Sequence, residues 1–471
     1  MLPEVSSHVM IYPALAAGLA CIGLLLLDTR QYPGNPLAIM RAPVALVWAI
    51  GLLVYGVNPI HFPPPAASSL GLLLGACAIS LAVIPSPRGW QAPAIDSGPL
   101  VGAARAYFYL LIGVAAAVTL WDVWHVLQKT TVASLSSALM AHRLDRSSKT
   151  GAYALPGMEV AHAVAAATGA LGYALWLRDR SRAGVIAASL GLASMLTSTG
   201  RWDVVAYGLW CFTLEALVHR GRSARQLLVS NLRLFALLGI FFILHGQLMG
   251  KVAGIGEAAA APTSARPSAL LNTPANLGFS GPSPAFVLHE THRCARWDAG
   301  AALANVALRR LPNVAKVLVI YFAGPFAAFD RITCEGPAIQ RIVLLYWPNK
   351  IGRLLGLRPQ SGTIAVDPFV DIGVGFNDFT VIYSFWCELG PALGLLAWAV
   401  TALIVRRVVR WVLNGRYGLP GLVAGAAPVT IAVRTPWVNA FFDGTLVVYF
   451  AVVLGAWWLS RKSPTPQRIV R

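Results

Sequence analysis

Charge is what this chain has least of. Only 12% of its 471 residues are charged, and acids are the scarcer sign, 19 Asp and Glu against 37 Lys and Arg. Hydrophobic residues make up 57% and the mean hydropathy is +0.64. A soluble domain has nowhere to hide that much apolar surface, so a water-soluble fold is excluded. The shortage of acids leaves a net charge of +18. In a polytopic membrane protein such an excess reflects cytoplasmic anchoring and anionic lipids or substrates, and nucleic acid is not the expected partner. Motifs for nucleotide or zinc chemistry are missing too: there is no Walker A loop and no His-Glu-x-x-His. His289 and His292 alone are a weak metal signal, and neither metal nor cofactor is expected. The opening MLPEVSSHVM has no Lys or Arg, so no cleavable signal peptide is expected.

What is there is a series of apolar runs, each about 17 to 25 residues, enough to cross a bilayer. They lie near 9–27, 43–58, 69–84, 101–121, 153–177, 183–199, 203–218, 227–249, 387–405, 419–434 and 443–459. Runs this long and continuous mean helices. The expected fold is an all-α polytopic membrane protein of about eleven (10 to 13) spans. Three loops, RDRSR (178–182), HRGRSAR (219–225) and RRVVRWVLNGR (406–416), hold ten Arg between them. With the tail RKSPTPQRIVR they mark one side as cytoplasmic and put the N-terminus outside. The chain then divides into helices over 1–249, a large external loop over 250–386 between spans eight and nine, and helices plus tail over 387–471.

That external loop opens with a Pro/Ala/Ser-rich stretch and carries twelve Lys and Arg, which ask for an anionic partner. Its piece 313–329 is apolar but short, and reads as a helix lying on or dipping into the membrane. Cys294 and Cys334 share the loop and are disulfide candidates, with Cys387 a competitor, whereas Cys21, Cys77 and Cys211 read as packing residues.

The polar residues near the external face are the candidates for chemistry. In TSTGRWD, Arg201 is the one cation of a tight turn. It either snorkels to headgroups or clamps an anion with its planar, always-charged guanidinium. Arg143, Arg146 and Lys149 form a basic cluster that either is solvated or draws an anionic lipid-linked substrate. In YFAGPFAAFDRITCEGPAIQR the notable residues are Tyr321, Asp330, Arg331 and Arg341, and Asp330 beside Arg331 also reads as a plain surface pair. Glu388 begins span nine, either as an acid with a function at membrane depth or as one favoured by the helix dipole. Asn377 and Thr380 precede it and suit a helix cap. Glu159 and His162 share one face of span five, as a satisfied pair or a reactive one. Trp121, Trp124, Trp347 and Trp386 read as interface aromatics, and His125 as an isolated histidine.

Three of these pieces, in order, resemble the Wzy-type polymerases of oligosaccharide repeat units, the O-antigen and exopolysaccharide polymerases of bacterial envelopes. TSTGRWDVVAYGL is similar to that family's Gly-Arg turn and following span. YFAGPFAAFD is similar to its Tyr-x-x-Gly stretch, and NDFTVIYSFWCELGPALG to its Asn-x-x-Thr followed by acid-x-Gly. Arg146 with Gly157, and Arg341 with Gly352, also fit an Arg with Gly eleven positions on. The family usually has twelve or more spans and both termini inside, from which eleven spans depart.

The resemblance implies a GT-C-like fold and a metal-independent glycosyltransferase of the bacterial inner membrane with its site facing the periplasm. Its substrates would be oligosaccharides on undecaprenyl pyrophosphate, and a chain-length regulator is a possible partner besides the membrane lipids. The leaving group is already activated, so the chemistry needs cations for the departing diphosphate and an acceptor for a sugar hydroxyl proton. Arg201 and Arg341 are the leading cations, with Arg143, Arg146 and Arg331 behind them. Glu388 or Asp330 is the base. Tyr321, Asn377 and Thr380 would orient sugar hydroxyls or hold the loop. An O-antigen ligase shares every one of these features but the acceptor. A glycosyltransferase using a polyprenyl-monophosphate sugar would carry acids in its first external loop, and NPIHFPPPAAS (58–68) has none. A transporter would show charges spread through its spans and internal repeats.

Overall fold

The structure is a computed structural model. It describes residues 12–57, 67–90, 102–130, 142, 157–197, 201–219, 221–232, 236, 239–240, 322–326, 329, 382–414, 417–436 and 444–462. These residues are helical throughout, with no strand among them. In chain order the helices are α1 (Tyr12–Gln31), α2 (Pro36–Val57), α3 (Ala67–Val83), α4 (Gly102–Thr130), α5 (Met158–Asp179), α6 (Arg182–Thr197), α7 (Arg201–Val218), α8 (Ala224–Ser230), α9 (Ile382–Val412), α10 (Gly418–Ala432) and α11 (Gly444–Lys462). Five described helices, α1, α2, α4, α5 and α9, are long and apolar enough to cross a membrane. Helices α3, α6, α7, α10 and α11 contain shorter apolar stretches. Ten of the eleven expected spans coincide with a helix, and the rest of the eighth, beyond α8, falls largely outside the described residues.

Helix ends depart from the expected spans where polar residues find partners. The second span was expected near 43–58, yet α2 begins at Pro36 and takes in Arg41. Arg41 Nη1 meets Asp28 Oδ2 of α1 at 2.7 Å, which lets both charges sit inside the α1–α2 hairpin. Asn35 caps α2 by accepting from Leu37 N at 2.9 Å, and proline at the first helical position has no N–H to satisfy. The stretch RRVVRWV, read as loop, is the last part of α9. There Val409 and Val412 are buried while Arg407 and Arg410 reach out, the spacing of one helix with two faces. Helix α4 runs on to Thr130, past the expected end at 121. Gly157, at φ 86°, blocks any earlier start to α5.

Contacts between turns sort the ends of the bundle. Asn35 Nδ2 donates to the Pro87 and Trp90 carbonyls, and Gly221 N to Gly34 O. Trp411 meets Tyr417 edge-on, and Tyr417 packs at a tilt on Trp457. The turns after α1, α3, α5, α7 and α9 therefore share one end with the last turn of α11. It holds Arg30, Arg88, Arg178, Arg180, Arg182, Arg222, Arg225, Arg406, Arg407 and Arg410, and is called the basic end below. The opposite, distal end carries only Lys129, Arg201 and Arg434 as cations among the described residues.

Helix α10 is the axis. Every residue from Leu419 to Ala432 is buried, and α2, α3, α5, α7, α9 and α11 all pack on it. A helix apolar all round is one surrounded by other helices. Tryptophan N–H groups lock neighbours together: Trp210 donates to Val423 O at 3.1 Å and Trp48 to Thr435 Oγ1 at 2.8 Å. Helices α5 and α6 pack through small residues. A Cβ added at Gly172 would lie 2.4 Å from the Ala187 Cβ, and one at Gly191 2.6 Å from the Gly169 Cα. Close backbone approach of this kind joins helices where no water drives them together. At the basic end buried Glu215 accepts from Ser230 Oγ at 2.9 Å and from Asn231 Nδ2, with Arg222 at 3.5 Å, and so fastens α8 to α7. Cys21, Cys77 and Cys211 are free and buried, with the Cys21 and Cys77 sulfurs 3.6 Å apart between α1 and α3.

Gly172→Leu is expected to prevent α5 and α6 from seating, at a cost of roughly 3 kcal/mol or more. The check is thermal unfolding of the purified protein in detergent. A second expectation concerns His219 at the basic end. Burial holds its protonation below the ordinary histidine value, and neighbouring Arg222 acts in the same direction. The folded state thus binds this proton more weakly than the unfolded chain. Stability from this group is present above the ordinary histidine value and is lost as pH falls from there toward the lower folded value. Melting measured from pH 7.5 down to 5.5 should decline less steeply in His219→Gln than in the wild type.

Candidate functional site

The distal ends of α4, α5 and α6 hold a polar cluster in an otherwise apolar bundle. Asp122 lies on the stretch of α4 that extends past the expected span and is 0% exposed. Its Oδ2 accepts from Thr197 Oγ1 at 2.7 Å, and Thr197 is the last residue of α6. Its Oδ1 faces His162 Nε2 at 3.6 Å, an ion-pair separation longer than a hydrogen bond. His162 Nδ1 contacts Ser194 Oγ at 3.3 Å. One turn earlier on α4, Thr119 Oγ1 bonds back to Ala115 O at 2.8 Å. His125, one turn beyond Asp122, packs against the Trp121 ring edge-on at 4.7 Å.

Thr197 ends α6 and Arg201 opens α7, so only residues 198–200 separate the cluster from the Arg201 backbone. The turn therefore sets a cation at a helix N-terminus, where backbone N–H groups and the dipole favour an anion. Tyr207, two turns into α7, donates to Ala188 O at 2.9 Å and fixes α7 against α6. Helix α4, on its other face, exposes Trp121 and Trp124.

A second feature of this end comes from the large loop. Its residues Phe322–Phe326 form a helical turn packed into the bundle. Phe326 is 1% exposed and stacks on Trp48 of α2 with ring centroids 5.6 Å apart, and it meets Tyr55 edge-on at 5.8 Å. Gly51 makes room, since a Cβ there would come within 2.9 Å of the Phe326 ring. Ala323 and Phe329 are buried in the same core. Of the two expectations for 313–329, the described part dips between the helices. Thr435 bonds Trp48 from the turn after α10, and Arg434 stands next to it. Arg434 is thus a distal-end cation that the sequence reading had folded into span ten.

The expected site residues fare unevenly. Arg201 has its backbone placed at the start of α7. Glu388 is the seventh residue of α9, since that helix starts at Ile382. It therefore lies past the first turn, where the dipole would favour an acid, and this removes one of the two readings offered for it. Arg201 and Glu388 share the distal end on helices that both pack on α10. His162 is paired across helices with Asp122 and Ser194, and the Glu159 side chain lies outside the described residues. So do Arg143, Arg146, Tyr321, Asp330, Arg331, Arg341, Asn377, Thr380, Cys294 and Cys334. Asp122 and Ser194 were missed. The signal for Asp122 was an acid in the WDVWHV continuation of an apolar run, within a turn of Thr119 and His125. Among the described residues no three His, Cys, Asp or Glu converge as a metal site would require.

Compared with known proteins, the chain matches no family model, no curated protein and no solved structure.

Phe326→Ala is expected to cost roughly 3 kcal/mol, because the pocket formed by Trp48, Gly51 and Tyr55 loses its filling ring. Limited proteolysis should then cut the loop faster than in the wild type, while the helices beyond it stay protected.

Proposed function

We propose that this chain is an integral membrane glycosyltransferase that polymerises lipid-linked oligosaccharide repeat units. The donor is a glycan on undecaprenyl pyrophosphate, and the growing chain passes to the non-reducing end of an incoming unit. The distal end faces the periplasm of a bacterial inner membrane. The concentration of arginine at the basic end supports that orientation, because cytoplasmic loops carry the excess of Lys and Arg.

One observation carries the reading. A cation at the N-terminus of α7 stands a single short turn from a buried acid–imidazole cluster, at the end of the bundle where the large loop enters. Transfer from a lipid pyrophosphate needs both parts: positive charge for the departing diphosphate, and polar groups for the hydroxyl proton. Arg201 binds and stabilises the diphosphate as charge builds on it, with the first N–H groups of α7 beside it. Arg434 adds a second positive charge at the same end. The Phe322–Phe326 turn anchors one point of the loop in the bundle at this end. No nucleotide sugar enters, because the bond to pyrophosphate supplies the driving force.

The test uses purified protein in nanodiscs with undecaprenyl pyrophosphate-linked repeat units, read on a gel. Wild type should yield a ladder of polymer. Arg201→Ala should lower the rate by about 100-fold, the effect of removing one group that stabilises charge in the transition state, and Arg201→Lys should recover part of it. A ladder unchanged in Arg201→Ala would sink the assignment of Arg201. Transfer only to a lipid A core acceptor, with no ladder, would make the enzyme a ligase.

A further inference from the structure

Glycan transfer releases one proton, and the groups at the described distal end identify where it goes. Asp122 is held on one oxygen by Thr197 at 2.7 Å and faces His162 Nε2 with the other at 3.6 Å. The far nitrogen of His162 touches Ser194 Oγ at 3.3 Å, so the ring is fixed from both sides. Both members are nearly inaccessible, with side-chain exposures of 4% for His162 and 0% for Asp122. Thr197 is only partly buried and is the member nearest the 198–200 turn. A hydroxyl at the mouth is thus bonded to a carboxylate, the carboxylate faces an imidazole, and a second hydroxyl steadies that imidazole.

We propose that the Asp122–His162 pair is the proton acceptor of the transfer, reached through Thr197. The inference rests on the glycan-transfer reading above. In the step, the acceptor sugar's O–H bond breaks as its oxygen bonds to the anomeric carbon of the donor. The bond from that carbon to the pyrophosphate breaks, and its electron pair leaves on the lipid pyrophosphate. The proton moves to Thr197 Oγ1 as Thr197 passes its own to Asp122 Oδ2, and the carboxyl, faced by His162 on its other oxygen, takes it up. An apolar surround tolerates such a pair, because neither partner is left as an isolated charge. The carboxylate orients the imidazole and steadies its charged form. Ser194 is a positioning residue, holding the ring at the correct tilt. Other titratable residues on the helices that carry or pack against the pair are His125 and Lys129 on α4, Glu159 on α5, Arg201, Asp203, Tyr207 and Cys211 on α7, and Tyr449 on α11.

The experiment measures initial polymerisation rates against pH for wild type, H162Q, D122N and T197V in nanodiscs, with undecaprenyl pyrophosphate-linked repeat units. Detergent melting curves of each variant accompany the rates. Wild-type rates should fall on acidification as the pair fills with its proton. H162Q should lose about 100-fold or more in kcat, and its residual rate should lack the acidic fall. D122N should lose a similar factor and shift any remaining fall to lower pH, because the carboxylate no longer supports the imidazolium. T197V should lose about 10-fold, the low end of what a positioned proton carrier contributes, with the acidic fall still in place. The KM for the lipid-linked donor should stay within threefold throughout, since Arg201 is untouched. H162Q or D122N retaining kcat within threefold, or keeping the wild-type pH profile, would overturn the proposal while the glycan-transfer reading stands. Should those two variants melt too low to assay, T197V decides alone: wild-type kcat in T197V rejects the route. A wild-type protein that transfers no glycan overturns both.

Discussion

Polar atoms inside an apolar bundle have no water to turn to, and this constraint organises the structure. At three places among the described residues, a charge that enters the helical core meets a partner from a neighbouring element. Arg41 on α2 meets Asp28 on α1. Glu215 on α7 collects Ser230, Asn231 and Arg222 from α8 and the turn before it. Asp122 on α4 takes Thr197 from α6 and faces His162 of α5. Each such partnership replaces a desolvation penalty with a contact that works only in one arrangement of helices. Polar residues therefore set the relative placement of helices whose apolar faces would tolerate many.

The apolar parts supply the rest. Buried α10 gives a common surface for helices from both halves of the sequence. The glycine-lined seam brings α5 and α6 close enough for hydroxyls at the end of α6 to reach across to α4 and α5. Were α5 and α6 farther apart, Ser194 and His162 would lose contact and the imidazole would be free to turn. Packing at the middle of the hairpin thus sets the geometry at its end. The Phe322–Phe326 turn does the same for the large loop, using a ring stacked on Trp48 to fix one point of a long segment.

In the proposed chemistry the two halves of the distal site divide the work. Cations at the turn and after α10 answer the negative charge of a departing pyrophosphate. The buried acid–imidazole pair answers the proton. Only residues 198–200 separate Thr197 of the cluster from Arg201 along the chain. The stretch of α4 beyond residue 121 matters here, for it carries Asp122 beyond the limit that hydropathy would draw.

The sequence by itself determined that the chain is helical and suited to a membrane. Twenty consecutive apolar residues can satisfy their backbone in lipid in only one way. It also determined where the arginine concentrates and that Arg201 stands in a tight turn between apolar runs, since charge and hydropathy are local properties. What only the tertiary structure decided is who meets whom. Nothing in WDVWHV says that Asp122 meets Thr197 and His162, 75 residues away at Thr197. Nothing in RAPV says that Arg41 is tolerated inside a helix because Asp28 is near. His162 looked like a partner for Glu159, three positions away on its own helix, until packing brought a carboxylate from α4 to its ring. Polar partnerships across helices depend on which faces pack, and a hydropathy pattern with apolar residues on every face leaves that choice open until the helices assemble.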